Sequence, residues 1–358
     1  MSSSTVHGRM TLAQLAWRHA LLAGLVLCYA ATAFWFSLSH PVSVHEEKIS
    51  TLLSAFALDI PAMIFFVLFA RLIHLTYVEK DPHRFQTLKR DVSNFVSDRN
   101  RMLGGFLATI LMASVLITFA QMKNLIPVLN PFSWDEFFMA LDKAIHFGEH
   151  PYIYAHAVLG WHYAISFFTG IYNLWLFLMY FVLLSACFMR PESLIRMQFL
   201  VAFLLTWAIG GNLFATIFSS VGPVYYAKLG LGDAFAGLSD ALRQHASTGA
   251  LTVVDTQALL WSFHTAEQPL NTISAFPSMH VASSVLMALF AARLSRLAGI
   301  IMGTFAFGIM IGSVLLAWHY AVDGYAGAVI ALGAWVFSGW LVRSIYGNLS
   351  GRLVANVA

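Results

Sequence analysis

Charged residues are scarce in this sequence. They make up 10% of its 358 residues, whereas hydrophobic residues make up 59%. An ordinary soluble domain carries about 25% charged residues. The shortage therefore excludes an ordinary soluble domain and predicts an integral membrane protein. The net charge of +3 is small, so the sequence gives no reason to expect a nucleic-acid partner.

Other familiar sequence features are absent as well. The two cysteines, Cys28 and Cys187, lie inside apolar runs, which predicts buried thiols and no disulfide. No glycine-rich nucleotide loop occurs, which disfavours ATP-driven work. No zinc motif of two histidines with a glutamate base occurs either, so the outer histidines are interpreted as interfacial polar residues. We therefore predict neither a metal nor a cofactor.

Apolar runs predict eight membrane-spanning helices, because a bilayer core takes about 20 helical residues. The runs cover residues 15–36, 52–75, 103–120, 163–187, 199–218, 278–292, 300–318 and 325–342. The predicted fold class is all-α integral membrane. We divide the chain into residues 1–102, with two spans and a basic loop, and residues 103–358, with six spans and outer loops at 122–162 and 219–277.

Lysine and arginine residues indicate the orientation of the spans, because they collect on the cytoplasmic side. With a cytoplasmic N-terminus, fifteen of the 20 fall on the inner side and five on the outer side. Both termini are then expected in the cytoplasm, and the two long loops outside. For a bacterial source the membrane would be the plasma (inner) membrane.

Three stretches between spans carry patterns of their own. Residues 79–101 place apolar residues at helical spacing among charges, which predicts an amphipathic helix on the inner leaflet. Ser133 and Glu136 are interpreted as a capping box of a short helix over 134–147, and the helix dipole alone accounts for Asp135. Residues 219–276 predict two short outer helices that form a lid or lipid-entry region.

Within the second span, Asp59 is either a functional-site candidate or a residue that reaches interfacial water.

The sixth and seventh spans form a hairpin with polar residues at both of its ends. It begins with Pro-Ser-Met-His at 277–280 and ends with His-Tyr-Ala-Val-Asp-Gly at 319–324. Two helices of about 20 residues each return the chain to the same membrane face. Four side chains are therefore expected to meet at one depth: Ser278, His280, His319 and Asp323.

These side chains suit phosphoryl chemistry. A neutral imidazole at His319 can attack phosphorus, and a carboxylate at Asp323 can hold its tautomer and stabilise the imidazolium. His280 can protonate the leaving oxygen. Pro277 is expected at the first helical position, where the next free amides and the Ser278 hydroxyl can bind phosphate. The alternative is that both histidines are interfacial residues that only reach water.

The two motifs resemble the second and third signature motifs of the type 2 phosphatidic acid phosphatase superfamily. The closest branch contains the inositol phosphorylceramide synthases, whose second motif reads Phe-Pro-Ser-x-His, as residues 276–280 do. Residues 126–148 and 219–228 also resemble that branch. The resemblance implies a six-helix catalytic core within residues 103–358. It also implies that His319 is a nucleophile that forms a phosphohistidine, that Asp323 orients it, and that His280 is the general acid.

The superfamily's first motif, a lysine followed after six residues by Arg-Pro, is missing from this sequence. The Arg-Pro pair at 190–191 has no such lysine and falls on the predicted inner face. Phosphate charge must therefore be met by other groups. We nominate three residues of the outer loops as additional phosphate-binding groups: Lys228, Arg243 and Tyr226. The synthase branch also lacks a standard first motif.

The resemblance implies an enzyme whose substrate, and also whose acceptor, are membrane lipids. If a lipid or polyol hydroxyl resolves the phosphohistidine, the enzyme is a lipid phosphotransferase of the inositol phosphorylceramide synthase kind. If water resolves it, the enzyme is a lipid phosphate or polyprenyl diphosphate phosphatase. A non-enzymatic lipid carrier or scaffold that keeps only the fold is the alternative from another class.

Overall fold

The computed structural model describes residues 9–39, 46–246, 253–265 and 273–355, with the side chains of 46–59 and 348–355 excepted. The side chain of Asp59 therefore lies outside the described part. Within these ranges the protein is helical and contains no β-strand. The predicted all-α class is confirmed.

The described residues contain fourteen α-helices, α1 to α14. The long ones are α1 (Leu12–Ser39), α2 (Glu46–Tyr77), α4 (Arg99–Leu129), α7 (His162–Cys187), α12 (Met279–Leu294), α13 (Arg296–Leu315) and α14 (Ala321–Ala355). A further rod runs through α8 (Leu194–Leu205), π-helical turns (Thr206–Phe214) and α9 (Ala215–Ile217). The short helices are α3 (Arg84–Ser97), α5 (Asp135–Ile145), α6 (Pro151–Leu159), α10 (Ala236–Ala246) and α11 (Val253–Thr265).

Seven helices in the described ranges are long and apolar enough to cross a membrane. The shorter apolar helix α12 (Met279–Leu294) supplies the eighth predicted span, so every predicted apolar run corresponds to a helix. The helix α3 also forms as predicted, and it buries none of its side chains. The chain is an integral membrane protein.

The rod α8–α9 is the most deeply buried of the spans, with 61% of its apolar window inside the protein. Phe199 of this rod stacks on Phe290 of α12 with ring centroids 4.3 Å apart. Leu22 and Val26 of α1 belong to the same buried cluster, so α1 packs into the core with the later helices. The proposed boundary at residue 102 stays a prediction.

A fully buried arginine ties the helix ends together opposite the motif residues. The Arg196 guanidinium donates hydrogen bonds to the carbonyl oxygens of Ala186 and Cys187, the last residues of α7, and of Gly104 in α4. The carbonyls of Ala186 and Cys187 lie in the last turn of α7, where they carry the partial negative charge of a helix C-terminus. Arg196 therefore fixes α4, α7 and α8 relative to one another.

Candidate active site

The Pro-Ser-Met-His motif at residues 277–280 lies at the start of α12, where Ser278 is the N-cap. Its hydroxyl oxygen accepts a hydrogen bond from the Val281 N–H at 3.4 Å, and the helix begins at Met279. The predicted helical start at Pro277 is therefore wrong, because the Ser278 side chain caps the helix and the first helical residue is Met279, two residues later. Pro277 precedes the cap, and the amide of Ser278 is engaged elsewhere.

The motif at residues 319–324 covers the turn between α13 and α14 and the start of α14. Because α14 begins at Ala321, His319 is in the connecting turn, while Asp323 is in the first helical turn. The carboxylate Oδ2 lies 3.4 Å from His319 Nδ1 and also accepts the Tyr320 N–H at 3.1 Å. A hydrogen bond at Nδ1 sets the tautomer that leaves Nε2 unprotonated. This is the arrangement that an attacking imidazole needs.

Backbone contacts join the two motifs. The Ser278 N–H donates to the Asp323 carbonyl oxygen at 2.9 Å. One turn further along α14, Gly327 lies against the Ser278 carbonyl oxygen, which a Cβ at that position would overlap. The absence of a side chain at Gly327 therefore lets α14 approach the start of α12 closely.

The His280 imidazole is held between aromatic rings of α7. Its ring centroid lies 4.5 Å from that of Tyr172 and 4.1 Å from that of Trp175. The Trp175 indole N–H donates to the Ser283 hydroxyl at 2.9 Å, which fixes the indole against α12. The rings of His280 and His319 are 5.8 Å apart. The prediction that the two histidines lie close together is confirmed.

Two aspartates of α5 hold the turn that carries His319. Asp142, 3% exposed, accepts hydrogen bonds from the Ala321 and Val322 N–H groups at 2.8 and 2.9 Å. These are amides of the first turn of α14, which lack partners within the helix. Burial raises the pKa of Asp142, and the two donated hydrogen bonds oppose that shift.

Asp135, 1% exposed, holds the neighbouring loop in the same way. It accepts hydrogen bonds from the Tyr320 and Ser220 hydroxyls and from the Val221 and Gly222 N–H groups. The interpretation that the helix dipole alone explains Asp135 is therefore wrong. The capping box is wrong as well, because Trp134 is the N-cap of α5 and makes no side-chain cap bond.

The segment after α9 covers the His319 turn. The Val224 N–H donates to the Ala317 carbonyl at 3.1 Å, and the Gln257 side chain donates to the Leu316 carbonyl at 2.8 Å. Gly222 has φ +84°, and a Cβ there would lie 2.9 Å from the Trp318 carbonyl oxygen. The two predicted outer helices form as α10 and α11, and they belong to this cover.

The structure brings two of the three nominated residues, Lys228 and Arg243, to one cavity, and the phosphate-binding role of Lys228, Arg243 and Tyr226 stays a prediction. Lys228 Nζ lies over the Trp261 ring, 4.6 Å from its centroid. Burial is the main cause that lowers the pKa of Lys228, and the positive charge of Arg243 lowers it further. Both cations line a cavity of about 220 Å³ whose lining includes neither His280 nor His319. Tyr226, 2% exposed, packs edge-on against Phe235, and burial raises its pKa.

Within the described ranges, no three His, Cys, Asp or Glu side chains form a group that could hold a metal ion. The site brings together two imidazoles, one paired carboxylate, a helix N-terminus and two supporting carboxylates. In such a set one imidazole can attack phosphorus, the other can protonate the leaving oxygen, and the helix N-terminus can bind the phosphoryl oxygens.

A family model described as the PAP2 superfamily matches residues 136–337, which is more than half of the chain. The chain belongs to the PAP2 superfamily. The matched region begins inside α5 and includes α12, α13 and both motifs. Membership in the PAP2 superfamily indicates a lipid phosphatase or phosphotransferase that acts on membrane lipids. Searches of curated proteins and of solved structures gave no match.

Proposed function

We propose that this PAP2 superfamily protein is a lipid phosphotransferase of the inositol phosphorylceramide synthase kind. It would move a phosphoryl or phosphodiester group from one membrane lipid to a lipid or polyol hydroxyl. The observation that carries the phosphoryl chemistry is the Asp323–His319–His280 arrangement, and the resemblance of residues 276–280 to the synthase motif favours transfer over hydrolysis. The arrangement places a carboxylate at Nδ1 of one imidazole and a second imidazole 5.8 Å away.

In the first step His319 Nε2 attacks phosphorus, so that an N–P bond forms and the bond to the leaving oxygen breaks. His280 gives its proton to that oxygen, which leaves as an alcohol. Asp323 stabilises the imidazolium character that develops on His319. Ser278 and the first amides of α12 support the phosphoryl oxygens, because a helix N-terminus favours negative charge.

In the second step the acceptor hydroxyl attacks the phosphohistidine. His280, now neutral, takes the hydroxyl proton, a new P–O bond forms and the N–P bond breaks. Both histidines return to their starting states. Water in place of the acceptor would give hydrolysis by the same residues.

We also propose that the site faces away from the cytoplasm. The start of α12, the end of α13 and the start of α14 lie at one end of the bundle. The majority of lysine and arginine residues falls toward the other end on the predicted topology. The donor lipid would then come from the outer leaflet.

The test is an assay of purified protein in detergent with lipids labelled on the head-group phosphate. Release of free phosphate and transfer of label to an added lipid acceptor are measured side by side, with His319→Ala as the control. Transfer that disappears in the variant supports the proposal and identifies the acceptor. Release of phosphate without transfer supports the phosphatase. Equal behaviour of wild type and variant contradicts the role of His319 and favours a lipid carrier.

A further inference from the structure

We propose that Lys123 of α4, together with the hydroxyl of Tyr172 in α7, binds the phosphoryl oxygens in place of the missing first motif. This inference rests on the proposed function, because it assigns two additional binding groups to the same site. Neither residue is part of the two signature motifs.

The electrostatics of the site call for a cation. Asp323 is fully buried, and the carboxylates of Asp135 and Asp142 bind the same turn through Tyr320, Ala321 and Val322. A phosphoryl group would bring more negative charge into this region of low dielectric, where an uncompensated charge is costly. Lys228 and Arg243 line a cavity whose lining includes neither His280 nor His319, so another cation is needed at the histidines.

The packing of α4 brings Lys123 to the start of α12. One turn earlier, the Phe119 ring lies against Gly211, where a Cβ would be 2.7 Å from Phe119 Cε2. The same Cβ would be 3.3 Å from the sulfur of Met279, the first residue of α12. Residues 119 and 123 share a helix face. Lys123 therefore lies one helical turn further along α4 than this contact with Met279, toward the motif residues.

Lys123 is the cation that this packing brings near the reacting groups. It is partly buried, and its neighbours Met122 and Asn124 are both buried. A lysine at this place brings a positive charge toward the phosphoryl group that would lie beside His280. An ammonium group binds phosphate as a point charge, so it needs no bidentate geometry.

Tyr172 supplies an independent observation. Its side chain is 7% exposed, and its hydroxyl has no hydrogen-bond partner in the part of the chain that the structure describes. Buried hydroxyls normally have a partner. The Tyr172 ring stacks on the rings of His280 and Trp318, with centroids 4.5 and 6.1 Å apart, so this tyrosine lies beside the site. A phosphoryl oxygen would give it an acceptor.

The test measures binding of orthovanadate, a mimic of the phosphoryl group in transfer, as a thermal shift of the detergent-purified protein. Lys123→Met is expected to weaken binding about 10- to 100-fold, because a hydrogen bond to a charged group is lost. Tyr172→Phe is expected to weaken it about 3- to 10-fold. Lys123→Arg keeps the charge and retains most of the binding. Lys89→Met, at an exposed position of α3, serves as the control for removal of a lysine.

The melting temperature without orthovanadate shows whether each variant folds, and Lys123→Gln replaces Lys123→Met if the latter does not. Binding by Lys123→Met equal to wild type would overturn the inference and leave the proposed function intact. Failure of the wild type to bind orthovanadate would also overturn it. The lipid assay with His319→Ala then decides separately whether the proposed function falls as well.

Discussion

The backbone N–H of Ser278 donates a hydrogen bond to the backbone carbonyl oxygen of Asp323 at 2.9 Å. The bond joins the cap of α12 to the first turn of α14, and it involves no side chain. Each signature motif therefore depends on the other for its position. The distance between His280 and His319 follows from how closely these two helix starts approach.

The close approach predicts that Gly327→Ala is harmful. A methyl group at this position would overlap the Ser278 carbonyl oxygen. We expect α14 to move outward, with a loss of about 1–3 kcal/mol of stability and of most of the activity. Gly333→Ala is the matched control in the same helix, since nothing lies within 4 Å of its Cβ position. Equal melting temperatures and activities for both variants would contradict the account.

The pairing of Asp323 with His319 predicts that Asp323→Asn removes activity without unfolding the protein. The amide can donate to Nδ1 and so favour the wrong imidazole tautomer, an effect on the order of 10³-fold or more in turnover for a comparable pair. Single-turnover rates with labelled lipid would measure it. A rate within tenfold of wild type would mean that Asp323 does not set the tautomer.

The support from α5 predicts a positioning role for Asp142. Asp142→Asn leaves one of the two N–H groups of Ala321 and Val322 facing another donor. This change costs about 1–3 kcal/mol. We expect turnover to fall about tenfold while the KM for lipid stays nearly constant, because His319 shifts and the lipid contacts do not. Asp233→Asn, at an exposed position, is the control. A change in KM alone would contradict a positioning role.

The proposed orientation predicts which positions a membrane-impermeant maleimide can reach in intact cells. In a background with Cys28→Ser and Cys187→Ser, Asp240→Cys in α10 should be labelled directly. Lys89→Cys in α3 should be labelled only after the membrane is permeabilised. Both side chains are exposed, so access depends on the side of the membrane. The reverse pattern would place the site in the cytoplasm.

The sequence predicts much of this architecture because apolar runs and their lengths set the spans. The 39 residues from His280 to His319 match one helix down and one back, so their meeting could be predicted. The bonds from Asp142 to Ala321 and Val322 span 179 and 180 residues, and no local pattern reports them. One signal was present: Asp135 and Asp142 are two turns apart, on the face that buries Phe138.

The helix starts were harder to predict because several residues compete for the cap. Pro277 suits a first helical position, yet the Ser278 hydroxyl can cap the helix and the structure has it do so. At α5, Ser133 and Glu136 have the spacing of a capping box, but the loop from Ser219 to Gly222 sets the local backbone instead. The Ser133 N–H donates to the Ser219 carbonyl oxygen at 3.2 Å.

The proposed mechanism depends on the phosphorylation of His319. The most direct measurement is rapid mixing of the protein with a lipid labelled on the head-group phosphate, followed by an alkaline quench, because phosphohistidine survives base and is lost in acid. If His319 is the nucleophile, the wild-type chain carries label at residue 319, His319→Ala carries none, and the bond is labile in acid. Product formation by the wild type with no labelled protein at any mixing time, or label that persists in His319→Ala, would contradict the proposed mechanism.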